Sequence, residues 1–115
     1  MYEYKAILKK LIDGDTMDLI IDLGFKMTTE QRVRLKGIDT PETWRQKKDS
    51  NEYKKGIVSK NYVEKRLQDN NGILRVKTDK EPGVYGRYIA DVLLEDSDIS
   101  LNEELLRNGL AKPWK

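Results

Sequence analysis

The chain contains no cysteine and no histidine. The first absence excludes disulfides, thiolate metal sites and a cysteine nucleophile, and is compatible with any redox compartment. The second excludes imidazole acid–base chemistry and histidine-ligated zinc, leaving that work to carboxylates. Long apolar runs are missing as well: none approaches the roughly 20 residues of a membrane span. The opening Met1-Tyr2-Glu3-Tyr4 has no signal-peptide character. The chain as it stands is therefore expected to be cytoplasmic and to have no membrane partner, with secretion of a longer or processed parent left open. A strong excess of one charge is also lacking. The 22 Lys and Arg against 20 Asp and Glu leave only +2, so attraction to nucleic acid must come from local clustering.

The 115 residues suit one domain, 1–115, with a single core. Hydrophobic and charged residues each make up 37%, which implies a compact core under a heavily charged surface. There is no internal repeat, low-complexity tract or linker.

Tyr2 to Leu11 is β-compatible and ends at the turn signal Asp13-Gly14-Asp15. Met17, Leu19, Ile21 and Leu23 then alternate with Asp18, Ile20 and Asp22, the period of a half-buried strand, before Gly24 permits a turn. In the third strand, Met27 to Leu35, alternation sets Met27, Val33 and Leu35 on one face and Glu30, Arg32 and Arg34 on the other. Arg34 should point away from the apolar side. A polar loop, Thr43 to Asn51, leads to an amphipathic helix from Glu52 to Asp69, whose shared face comprises Gly56, Ser59, Tyr62, Val63 and Leu67. Asn70-Asn71-Gly72 stops it. A fourth strand, Ile73 to Thr78, and a fifth, Tyr85 to Leu94, follow around Pro82-Gly83. Ser100-Leu101-Asn102-Glu103 has the capping-box pattern and predicts a helix from Leu101 to Asn108, ended by Gly109, with Lys112 to Lys115 as an irregular tail. This order predicts an α+β, mainly β, fold: a five-stranded Greek-key barrel of the OB type with a helix between strands three and four.

Three pieces carry chemistry. Arg34-Leu35-Lys36-Gly37-Ile38-Asp39-Thr40-Pro41-Glu42 places an arginine and carboxylates around a turn that Pro41 restricts to extended geometry, and Asp13-Gly14-Asp15-Thr16 and Val84-Tyr85-Gly86-Arg87 flank it in sequence. Together they suggest a phosphodiester-cleaving site that uses a hard metal ion. Such an ion needs oxygen ligands, for which Asp15 and Asp39 are the candidates, although both also suit turn chemistry, as Asp13 does more strongly. Charge building on a phosphoryl group suits the planar fork of Arg34 and Arg87, although a strand arginine is also an ordinary surface ion-pair partner. Glu42 can accept a proton from water or be a solvated loop glutamate. Lys47 and Lys48 can attract phosphates at long range or simply keep the loop soluble, and Tyr85 can contact a nucleotide or be a buried strand residue.

Taken together and in this order, these motifs resemble the staphylococcal nuclease (thermonuclease) family, as does the stretch Asn102 to Lys112, which looks like its penultimate helix. The resemblance spans nearly the whole chain. It implies a five-stranded OB barrel and Ca²⁺-dependent hydrolysis of DNA and RNA at the 5′ P–O bond, with little sequence specificity, leaving 3′-phosphate ends. It also implies that Asp15, Asp39 and the Thr40 carbonyl are metal ligands, Glu42 the general base, Arg34 and Arg87 the phosphate and transition-state clamps, and Tyr85 a nucleotide contact. The partners expected are single-stranded DNA and RNA as substrate, for a monomer or weak dimer. Two features depart from the family pattern. The chain resembles a minimal form that stops at Lys115 before the third helix, which makes Trp114 a candidate substitute for a missing aromatic, and Val84 stands where a basic residue can assist phosphate binding. A non-catalytic nucleic-acid or protein-binding OB module is the alternative, and a minimal form that completes its groove by dimerisation is a third reading.

Overall fold

The computed structural model describes residues 2–43, 50–78 and 88–114. The elements run β1 (Tyr2–Asp13), β2 (Thr16–Gly24), β3 (Met27–Leu35), β4 (Ile38–Asp39), α1 (Asn51–Asp69), β5 (Ile73–Thr78), β6 (Tyr88–Leu93), α2 (Leu101–Arg107) and β7 (Lys112–Pro113). The long strands close into a five-stranded barrel in the order β1-β2-β3-β6-β5. Neighbours are antiparallel except β3 and β6, which close the barrel in parallel with Val33 opposite Tyr88 and Leu35 opposite Ala90. This is the expected OB architecture. The fifth expected strand begins at Tyr88 among the described residues, and its first positions, Tyr85 to Arg87, lie outside them.

Alternation of side chains fills the barrel. Met17 and Leu19 from β2, Val33 and Leu35 from β3, Val76 from β5 and Val92 from β6 are buried together with Val63 and Leu67 of α1 and Leu101 and Leu105 of α2. Leu23 and Met27 keep the phase of their strands yet stand exposed, because the β2–β3 hairpin outruns the barrel. Its turn is centred on Phe25 and Lys26, both with left-handed backbone (φ 54° and 62°), rather than on Gly24 alone.

Local signals set the helix ends. Ser50 caps α1 by accepting from the Tyr53 amide at 3.1 Å, and Gly72 (φ 72°) ends it by donating to the Leu67 carbonyl at 2.7 Å. Ser100 caps α2 through the Glu103 amide at 3.1 Å, while the Glu103 carboxylate accepts from Arg107 at 3.0 Å. The α1 residues Gly56, Ser59, Val63 and Leu67 are buried as the periodicity implied, and Tyr62 is half-buried.

The last residues are not an irregular tail. Lys112 and Pro113 form β7 and pair antiparallel with β4, Ile38 opposite Pro113 and Asp39 opposite Lys112, and the Trp114 amide donates to the Gly37 carbonyl at 3.0 Å. The turn after α2 aims the chain there: Leu110 donates to the Leu105 carbonyl at 2.9 Å, and its own carbonyl accepts from the Ser59 hydroxyl at 2.6 Å. Backbone groups on both short segments thereby find partners, which neither segment supplies alone.

Two polar devices lock the helices to the barrel. Asn102 is buried and bridges the parallel seam, donating to the carbonyls of Lys36 (2.9 Å) and Ala90 (3.1 Å) and accepting from the Val92 amide (3.0 Å). Arg66 of α1 grips Asp96 through paired contacts of 2.6 and 2.7 Å and Glu104 of α2 at 2.8 Å, while Tyr62 donates to Glu104 at 2.8 Å. Its hydrogen bonds hold Asp96 down at about 2, from an ordinary 3.8. Burial acts to raise Glu104, but the hydrogen bonds from Arg66 and Tyr62 outweigh it and bring that carboxyl below its ordinary value.

Replacing Asn102 with Ala strands the buried Val92 amide and is expected to cost about 1–3 kcal/mol in urea unfolding. Both depressed carboxyls contribute stability that is fully present above their unfolded pKa values and is lost as pH falls through the folded ones. The urea midpoint is therefore expected to fall as pH drops from about 4.5 toward 2. The Arg66→Leu variant should have a lower midpoint at neutral pH and a flatter acid limb.

Candidate active site

The β1–β2 turn is only Gly14 and Asp15, because Asp13 pairs directly with Thr16. The turn lies close against its surroundings: a Cβ on Gly14 would meet Thr40 and Ser59 side-chain atoms at 3.1 Å. Asp15 is consequently buried, at 4% exposure, and needs compensation. Its carboxylate accepts from the Thr16 hydroxyl (3.0 Å), the Arg34 guanidinium (3.0 Å) and the Thr40 amide (3.2 Å). Arg34 can reach it because Thr16 and Arg34 are cross-strand partners between β2 and β3. Arg34 donates further to the Ile38 carbonyl at 3.2 Å and the Asp39 carboxylate at 3.3 Å.

The strand thus aims Arg34 away from Val33 and Leu35, as alternation implied, and toward carboxylates delivered by a neighbouring turn. Gly37, with φ 76°, turns the chain between β3 and β4 so that Asp39 comes back to Arg34. A cleft of about 440 Å³ results, lined by Asp13, Asp15, Arg34, Asp39 and Glu42 together with Ile12, Thr16 and Arg32. Arg32 is engaged by Asp18 at 2.8 Å, which holds that carboxyl below its ordinary range. Arg34 is therefore shared by Asp15 and Asp39, and the cleft carries more carboxylates than its arginines neutralise, a setting that favours a cation.

The side-chain atoms of the cleft able to ligate a cation are all oxygens, which suits a hard ion. Among the described residues no group of three or more His, Cys, Asp or Glu side chains is arranged as a metal cage. The set that fits is smaller: Asp15 and Asp39, with backbone oxygen and water completing the coordination. Thr40 is buried next to them, and its hydroxyl has no hydrogen-bond partner.

Of the residues singled out in the sequence, Asp15, Arg34, Asp39 and Glu42 come to one cleft and Thr40 lies against Asp15. Tyr85, Arg87, Val84, Lys47 and Lys48 lie outside the described residues. The supports of the 40–43 loop come from residues distant in sequence. Asp13 accepts from both the hydroxyl (2.5 Å) and the amide (3.3 Å) of Thr43, and Glu52 accepts from the Glu42 amide at 3.1 Å. Asp13, the last residue of β1 and not part of the turn itself, is thus a latch for the loop that carries Glu42. Gly56 completes the support: a Cβ there would stand 2.7 Å from the Pro41 carbonyl and 3.0 Å from that of Glu42. The small residue on a weakly apolar helix face was the available signal.

The barrel thus presents an acidic cleft with an arginine bound to its carboxylates and a glutamate among its lining residues, all built without histidine. Residues 32–115 match the family model for the staphylococcal nuclease homologues, and the chain belongs to that family. It is 39% identical over 107 residues to a thermonuclease of Staphylococcus intermedius, which covers 92% of this chain and 57% of that protein. A thermonuclease of Staphylococcus hyicus is 36% identical over 110 residues, covering 95% and 57% respectively. The endonuclease YhcR of Bacillus subtilis is 30% identical over 115 residues, 97% of this chain and 9% of its own. The chain therefore spans little more than half the length of the thermonucleases it matches.

In the Gly56→Ala variant the added methyl must displace the Pro41–Glu42 backbone. Alanine is favoured over glycine inside a helix by about 1 kcal/mol, yet the variant is expected to lose about 1–3 kcal/mol in urea unfolding through overpacking. A gain in stability would show that the loop does not rest on the helix at this point.

Proposed function

We propose that the chain is a nuclease that hydrolyses phosphodiester bonds of single-stranded DNA and RNA with little sequence preference, in a Ca²⁺-dependent reaction. The observation that carries this reading is the convergence of Asp15, Arg34, Asp39 and Glu42 on one cleft in a member of this family. Asp15, Asp39 and the Thr40 carbonyl would hold the ion. When bound, Ca²⁺ supplies divalent charge that offsets the negative charge of the scissile phosphate.

The chain's own groups account for the remaining chemistry. Arg34 presents a planar donor fork to phosphate oxygens, and Arg87, assigned through the family resemblance, is the second clamp on the charge that builds in the transition state. Glu42, exposed at the rim and held by its backbone through Glu52, accepts the proton of the attacking water. Tyr85 contacts the nucleotide. Attack with expulsion of the 5′ oxygen leaves 3′-phosphate ends.

Digestion of end-labelled single-stranded DNA with Ca²⁺, against the same reaction in EGTA, tests this reading. Cleavage to 3′-phosphate products is expected only with the ion, and Glu42→Gln should lower kcat by about a hundredfold or more. Intact DNA in both reactions would favour the binding-module alternative, whereas a Glu42→Gln variant that cuts as well as the parent would remove Glu42 from the role of base.

A further inference from the structure

We propose that Trp114 is a positioning residue for Arg34: its indole face keeps the guanidinium in place for phosphate once a cation has taken the carboxylates that otherwise hold it. This rests on the nuclease reading of the cleft. Arg34 donates to three acceptors, the carboxylates of Asp15 (3.0 Å) and Asp39 (3.3 Å) and the carbonyl of Ile38 (3.2 Å). The carboxylates are the same groups that would coordinate the ion. A divalent cation there competes for their lone pairs and repels the guanidinium, which leaves the Ile38 carbonyl and the surface of Trp114, whose ring centre lies 4.8 Å from the guanidinium carbon.

The indole is placed by the same short strand that supplies the other partners. Gly37 accepts the Trp114 amide at 3.0 Å, Ile38 accepts from Arg34, and Asp39 pairs with Lys112 in β7. Movement of β4 therefore carries ring and carboxylate together. Arg34 lines the cleft and carries the ring against its guanidinium, so on this proposal the ring acts on substrate through Arg34. A flat aromatic face suits the role because it attracts a planar cation without competing for the N–H groups that phosphate needs.

The sequence has one other tryptophan, Trp44, so the Trp44→Phe chain reports Trp114 emission alone. Titration of that chain with calcium chloride should shift the emission as Arg34 is released from the carboxylates, and adding Arg34→Ala should abolish the shift. In cleavage assays on single-stranded DNA, Trp114→Leu should lower kcat by about tenfold, and Trp114→Phe, which keeps an aromatic face, should restore most of it. Combined with Arg34→Ala, Trp114→Leu should cause no further loss.

The proposal is overturned by an equal loss in both backgrounds, by leucine and phenylalanine behaving alike, by no emission shift with calcium, or by a shift that survives Arg34→Ala. If the parent chain cleaves nothing, the nuclease reading falls on its own, and the emission comparison decides the positioning role.

Discussion

A carboxylate buried within a two-residue turn sets the terms for this structure. Burying the Asp15 side chain calls for hydrogen-bond donors close by. The β-ladder brings Arg34 opposite the neighbouring Thr16, and the Thr40 amide closes over the other side. Meeting that demand draws the β3–β4 turn back onto the barrel, which in turn delivers Asp39 to the same guanidinium. The site thus follows from satisfying one buried charge across a strand pair, with the 40–43 loop pinned at its far end by Asp13.

The mutual pairing has a cost for function. A guanidinium bound to Asp15 and Asp39 is not free for phosphate, and carboxylates engaged by it are poorer ligands for a cation. On the proposed function both conflicts would be resolved at once, because an ion would take the carboxylates and the phosphate would take the arginine. On that reading the ion pairs of Arg34 with Asp15 and Asp39 would be exchanged for contacts to ion and phosphate rather than merely broken.

Most of the barrel was legible because its signals are local. The alternation Met17-Leu19-Ile21 and Val33-Leu35, the Ser100 cap and the Asn71-Gly72 stop depend only on near neighbours, and all appear where their patterns put them. Asp15, Arg34, Asp39 and Glu42 were legible as a group because a turn chemistry and a strand phase recur around them, although no single residue distinguished ligand from turn former. What escaped depends on distant approach. The pairing of Lys112–Pro113 with Ile38–Asp39, the Thr43 contact with Asp13 and the absence of room at Gly56 each join segments whose separation in sequence hides them. A lysine before a proline reads as a tail until a second unpaired edge lies beside it.

That second edge changes what the end of α2 is for. Asn102 ties the helix to the parallel seam, Arg66 ties it to α1, and the chain leaving it hydrogen-bonds to Ser59 before reaching β4. Helix packing, strand pairing and the Arg34 environment are consequently parts of one continuous connection. A shift of α2 would reach Asp39 through β7 and Gly37, without any contact between the helix and the cleft. Small residues at Gly14, Gly37 and Gly56 keep this connection short, because each lets backbone approach or turn where a side chain would intervene. The chemistry of the cleft therefore depends as much on where the chain has no side chain as on the charges it presents.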